Sequence, residues 1–429
     1  MQKILFFTII LGCLLLLCEL KALQAQESNL IESLMRNRRD LFDTILRNPA
    51  KYKVQIIYTQ INRNRNNVPQ FKTFKYRVNR NEYFYPASTV KLPTALVALE
   101  KLNKLKIEGL SKYSRLRIGA EQPPQTAVTT DSTSPTGYPS IAHYIHKLFV
   151  VSDNDAYNRL YEFVGQETLN RTLWQKGYRD VQIVHRLGVP GFNKESNRFT
   201  NPFTFYNSKN KVIYEQAAVY NPHSFKPKIK NAKLGKAYIE YHEGKKRIIP
   251  QPMNMEFRNY LSLEAMHEML KAILFPEVTP TQRKFLLSED DYQLLYKAMS
   301  GYPSESEYPK YDSKEYKDNY NKFLMFGDKY EKIPRHIRVF NKTGLAYGFV
   351  LDNAYIVDFE NKIEFLLSAV IYVNENEILN DDNYEYKTIG LPFMERLGRV
   401  IYWHERSRKR PYPPDLSKFK LDYRYHLPK

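Results

Sequence analysis

The sequence has little cysteine. Of its 429 residues only Cys13 and Cys18 carry thiols, and both lie in the first 25 positions. Once a segment of that length is removed, no thiol remains for a disulfide, a zinc centre or a nucleophile. Histidine is sparse too, with 9 residues and no HExxH or paired-His spacing. No metal ligand and no cofactor is therefore expected. Glycine numbers only 16, which excludes a collagen-like chain. The apolar run from Ile4 to Leu17 falls short of the ~20 residues that cross a bilayer. What remains is 43% hydrophobic, with apolar residues spread along the chain, and this argues for a folded protein stabilised by its core alone.

The first 25 residues stand apart. Lys3 precedes the apolar run, the chain turns polar at Glu19 and Lys21, and Ala25 offers a small residue for cleavage. This is the pattern of a secretory signal, so export to a periplasm or the exterior is expected. Ile10-Leu11-Gly12-Cys13 allows a lipid anchor on Cys13, but four leucines directly after that cysteine would be an odd start for a mature lipoprotein. The 65 Lys and Arg outnumber the 46 Asp and Glu, a net charge of +19 that favours anionic partners. Nucleic acid is the first to test and is set aside, because the basic residues are scattered among acids and the clusters at 226–236 and 406–410 read as solvated faces. An anionic cell envelope fits the same charge.

The periodicity predicts helix over Asn29–Leu46, then two strands, Tyr52–Ile61 and Phe71–Val78, joined by the polar turn Asn62–Asn67. Apolar spacing from Ser88 to Leu105 gives a helix with Pro93 near its start. Ser140–Phe149, Asp155–Val164 and Glu167–Trp174 follow as helices. Residues 200–255 have little periodicity and read as an insertion of short strands and loops. Helical patterns return at Leu261–Ile273 and Asp290–Met299. Strand-like runs then occupy Arg338–Thr343, Phe349–Val357 and Ile363–Val373, before a last helix at Ile389–His404. The chain ends thus supply strands and flanking helices, a sheet lobe of residues 26–85 and 335–429, and the middle supplies a helical lobe, 86–334.

Three motifs carry chemistry. Ser88-Thr89-Val90-Lys91 sets a hydroxyl and an amine three residues apart on one face of a helical turn, where a lysine of lowered pKa can take the serine proton. The Ser88 amide also lies at the positive end of the helix dipole. Alone, the pattern is common, and an N-capping serine beside a solvated lysine explains it equally well. Ser152-Asp153-Asn154 follows between two predicted helices, and Lys342-Thr343-Gly344 follows on a predicted strand. S-x-x-K, S-D-N and K-T-G in this order form the set found in class A β-lactamases and penicillin-binding proteins.

On these motifs the sequence resembles the penicillin-recognising serine hydrolases, most closely the class A β-lactamase-type domain, over about Leu30–Arg406. The resemblance implies an α/β (α+β) fold: a five-stranded antiparallel sheet flanked by the N- and C-terminal helices, beside an all-helical lobe. It implies Ser88 as the acylated nucleophile, Lys91 as its proton acceptor and Ser152 as the proton shuttle to the departing nitrogen. Asn154 would hold the substrate's amide side chain, Lys342 and Thr343 its carboxylate, and Gly344 would let substrate pair along the strand. The oxyanion would lie between the amides of Ser88 and Leu345. Asp153 reads as a structural acid.

One part of the family pattern departs. An E-x-x-L-N glutamate that activates the deacylating water is imitated by Gln166-Glu167-Thr168-Leu169-Asn170, but glutamine stands first and the segment fits the preceding helix. The loop itself corresponds to His185–Pro202, whose one acid, Glu195, is the candidate base, although a solvated loop carboxylate is about twice as expected. Three readings follow: a β-lactamase-like hydrolase acting on a small molecule; a penicillin-binding D,D-peptidase, amidase or esterase acting on a peptidoglycan-like substrate with slow deacylation; and a binding or sensor domain.

Overall fold

The computed structural model describes residues 30–242, 245–329 and 332–423. The signal-like segment, with Cys13, Cys18 and Ala25, lies outside the described residues.

Five strands form the main sheet: β1 (Gln55–Arg63), β2 (Pro69–Tyr76), β3 (Ile337–Ala346), β4 (Phe349–Asp358) and β5 (Ile363–Tyr372), in the order β3-β4-β5-β1-β2 with every neighbouring pair antiparallel. Both sheet faces are buried, so every residue of β4 and β5 is buried, and both strands are mostly apolar rather than alternating. The pleat still sorts β4 by parity: Leu351, Tyr355 and Val357 pack toward the helical lobe, while Val350, Ala354 and Ile356 pack toward the terminal helices. On that second face lie α1 (Arg39–Arg47) and α8 (Leu391–Ser407), which bring Phe42, Ile45, Phe393, Met394 and Leu397. Each such side chain contributes roughly 1.5–3 kcal/mol by leaving water. This is the five-stranded antiparallel α/β architecture that the resemblance implies.

The helical lobe contains α2 (Lys91–Leu105), α3 (Ile141–Val150), α4 (Asn154–Val164), α5 (Gln166–Gln175), α6 (Leu263–Leu274) and α7 (Glu289–Ser300). Side-chain caps start four of them: Ser140, Asp153, Ser262 and Ser288 each accept a hydrogen bond from a backbone N–H of the first turn.

Two expectations change. The predicted helix Asn29–Leu46 is broken, with 30–36 helical and α1 starting at Arg39, because Arg38 takes a non-helical conformation in a basic stretch without apolar residues. The predicted helix from Ser88 begins instead as a 3₁₀ turn, Ala87–Val90, and the α-helix starts at Lys91. Pro93 is thereby its third residue, where a missing N–H leaves no intrahelical bond unmade.

The insertion has two parts. Phe203–Tyr206 pairs with Arg115–Ile118 on one side and Val212–Gln216 on the other, while Ala237–His242 pairs with Ile378–Leu379 on one side and Lys245–Ile249 on the other. A second irregular stretch, 301–329, crosses the sheet end near β3.

Candidate active site

Ser88 sits in the 3₁₀ turn with buried residues on either side. Ala87 holds φ at 46°, a left-handed conformation that costs an alanine about 1–2 kcal/mol. The turn is closed by Thr89, whose Oγ1 donates to the Pro86 carbonyl at 2.6 Å. Half-buried Ser88 thereby borders two cavities, of about 580 and 400 Å³. In a 3₁₀ turn positions i and i+3 eclipse, so Lys91 falls on the same side.

Lys91 is 0% exposed. Its ammonium donates to the Ser152 carbonyl, to Ser152 Oγ at 3.1 Å and to Asn154 Oδ1 at 2.7 Å. Burial, then the nearby Lys342 cation, drive its pKa well below the ordinary lysine value, against a smaller opposing pull from Asp153. That is the direction a proton acceptor requires.

The corner between α3 and α4 brings Ser152 here. Ser152 is itself left-handed at φ 58°, and Asp153 caps α4 by accepting from the Ala156 N–H at 2.8 Å. Asp153 also faces Lys147 at 3.7 Å, a structural task on both counts. Asn154 opens α4 and touches the backbone of the 185–202 loop: a Cβ on Gly188 would meet its Nδ2 at 2.4 Å.

From the sheet edge, Lys342 donates to Ser152 Oγ at 2.9 Å and to the Thr343 carbonyl at 2.9 Å. One hydroxyl therefore accepts from two buried ammonium groups. Gly344 is required for close approach, since a Cβ there would stand 2.8 Å from the Pro86 carbonyl and 3.2 Å from Ala87 Cβ. Leu345, 40% exposed, borders both cavities with Ser88. The three motif segments meet.

Three functional positions were missed in the sequence. Asn321, Lys322 and Asp352 form a strap and anchor behind β3. Asn321 Nδ2 donates to the carbonyls of Phe149 and Val150 at the end of α3, its Oδ1 accepts from Thr343 Oγ1 at 3.2 Å, and its carbonyl accepts from Asn341 Nδ2. The strap thus ties the segment leading to Ser152 to the strand of Lys342. Lys322 donates to Asn341 Oδ1 and to the Met299 carbonyl, both at 2.7 Å. Asp352 accepts from the N–H groups of Phe323 and Leu324 and from Asn341 Nδ2. Burial pushes Lys322 and Lys342 down to about 7 and Asp352 up to about 6. Asp352 alone had a legible signal: an acid inside a mostly apolar strand needs a buried partner.

A family model described as the β-lactamase enzyme family matches residues 37–404. The chain belongs to that family. It is a serine hydrolase acting on amide bonds. Among solved structures, it is similar to the β-lactamase from Sphaerobacter thermophilus DSM 20745, at 13% identity, with 86% of this chain and 96% of that one covered and a TM-score of 0.44. It is also similar to the class A β-lactamase from Clostridium kluyveri DSM 555, at 14% identity, 84% and 97% coverage and a TM-score of 0.44. The β-lactamase from Burkholderia phymatum gives 12% identity, 89% and 98% coverage and 0.45. No curated protein matches.

In this β-lactamase-family enzyme the 185–202 loop is rigidly tied. Arg186 pairs with Glu162 at 2.8 Å, and Asn197 accepts from the Arg186 N–H at 2.9 Å. Glu195 is not brought to Ser88. Its carboxylate points to the surface, 57% exposed, and accepts from Tyr220 OH at 2.7 Å and Arg198 at 2.8 Å, which hold its pKa below the usual range. Glu195 lines neither cavity that Ser88 borders; the carboxylates there belong to Glu315, Asp328 and Asp382, from other segments. The glutamate-like segment lies on α5: Gln166 is tied to the Val184 carbonyl at 2.8 Å, and Glu167 pairs with Arg171 at 2.5 Å and His223 at 3.1 Å.

Proposed function

We propose that this enzyme opens β-lactam-type amide bonds through an acyl-enzyme on Ser88. The observation that carries the reading is that Ser152 Oγ lies between the Lys91 and Lys342 ammonium groups beside a cavity bordered by Ser88. In this mechanism neutral Lys91 accepts the Ser88 proton as Oγ attacks the carbonyl carbon, and the amides of Ser88 and Leu345 receive the oxyanion. Ser152 passes a proton to the departing nitrogen, and its hydroxyl is resupplied through the two lysines that flank it. Lys342 and Thr343 hold the substrate carboxylate, and Asn154 holds the side-chain amide. The signal-like N-terminus supports export, and the net positive charge supports residence near an anionic envelope.

The placement of Glu195 favours a second form of this reading, a penicillin-binding D,D-peptidase, amidase or esterase in which the acyl-enzyme persists. General-base catalysis contributes ~100 to 10,000-fold, and a base turned to the surface contributes none of it. Intact-mass measurement after brief exposure to a penicillin, on wild type and Ser88→Ala, tests both. A lasting adduct on wild type alone supports the second form, and a transient one supports a true β-lactamase. Absence of any adduct on wild type overturns the acyl-enzyme.

A further inference from the structure

On the other side of the 185–202 loop lies a cavity of about 300 Å³ that shares no lining residue with the two that Ser88 borders. Its lining includes the rings of Phe192, Phe225 and Phe257, the buried imidazole of His185, four further basic side chains and several amides, and it contains no carboxylate. Two of the basic groups are already balanced: Arg198 by Glu195 at 2.8 Å and His223 by Glu167 at 3.1 Å. The other two, Lys194 and Arg258, form no ion pair among the described residues, and Lys194 Nζ stands 3.7 Å over the Phe257 ring.

We propose that this cavity binds a small aromatic acid. Its ring packs against the phenylalanines, and its carboxylate meets Lys194 and Arg258. An aromatic wall with unbalanced positive charge suits a ring that carries an anion. The inference does not depend on β-lactam chemistry: absence of penicillin labelling leaves it standing.

The probe is benzoate, titrated into the full-length protein by calorimetry or NMR, with benzyl alcohol as the uncharged comparison. We expect benzoate to bind, and benzyl alcohol to bind at least fivefold less well. Arg258→Gln, an exposed side chain whose loss leaves the fold intact, should weaken binding at least fivefold, and Lys194→Gln should add to that loss. Ser88→Ala should bind like wild type, and Arg258→Gln should acylate like wild type. Equal binding of benzyl alcohol, indifference to Arg258→Gln, or loss of binding when Ser88 is acylated would each overturn the proposal.

Discussion

Two neighbouring regions handle charge in opposite ways. At the cavity edge three lysines, Lys91, Lys322 and Lys342, are at most 2% exposed, yet neutral oxygens from Ser152, Asn154, Asn341, Thr343 and Met299 receive their ammonium hydrogens. In the 185–202 loop the buried cation Arg186 pairs directly with the buried anion Glu162, which also holds Arg159 at 3.1 Å. Paired ions keep their charge and brace the loop. Lysines buried without a carboxylate against the ammonium shed their protons more easily, and that makes them reagents. The lesson is that burial without a counter-charge lowers a lysine's pKa and so permits Lys91 to accept a proton, while Lys322, lowered in the same way, serves to anchor β3.

The largest effect expected from this contrast is at Lys91. Lys91→Met fills the same space without the amine, and the acylation rate should fall by roughly 100- to 10,000-fold. Single-turnover mass kinetics would measure it; a drop of less than about tenfold would assign the proton to another group.

A pH series sharpens the contrast next. The folded values of Lys322 and Lys342 lie near 7, below the ordinary lysine value, so between about pH 7 and 10 the unfolded chain binds more protons than the folded one. Stability should therefore rise with pH across that window, by up to about 1.4 kcal/mol per pH unit for each lysine. Denaturant midpoints from pH 7 to 9.5 would show it, and Lys322→Met should flatten the slope. A falling profile would mean that these lysines stay charged. Over the same range affinity for a carboxylate-bearing substrate should decline as Lys342 loses its proton, while an analogue without the carboxylate should not respond.

The strap offers a smaller change. Asn321→Ala frees Thr343 Oγ1 and leaves the carbonyls at the end of α3 without their donor, so it should cost about 1–3 kcal/mol of stability. It should also raise KM by about tenfold with less change in kcat, because one misplaced hydroxyl mainly weakens carboxylate binding. Rescue by Asn321→Asp would be poor, since a carboxylate cannot donate to Phe149 and Val150. Smallest of all is Glu195→Gln, for which deacylation should stay within about twofold of wild type; a loss of a hundredfold would place the base in the loop after all.

Local features of this fold were legible where a single turn of chain decides them. The helix read from Ser140 onward starts where the Ser140 side chain caps it, within three residues of its own position. Ser88 and Lys91 share a face in either an α or a 3₁₀ turn, so the error about helix type at 87–90 left their pairing intact. The error at Arg38 had the same cause as most boundary errors: an apolar repeat continues past a break that only backbone angles reveal. Residues 301–329 showed no period, and their role rests on contacts with α3, β3 and β4, each remote in the chain.

The order of hydroxyl, amine and glycine along the chain, and the strand and helix patterns around them, are properties of the sequence, because they depend on side-chain type and spacing. Which way Glu195 faces, that Asn321 bridges two motif segments, and that three lysines are buried together were decided by tertiary packing. The physical reason is that charge and desolvation depend on what surrounds a group in space, and for these groups the surroundings come from segments tens to hundreds of residues away.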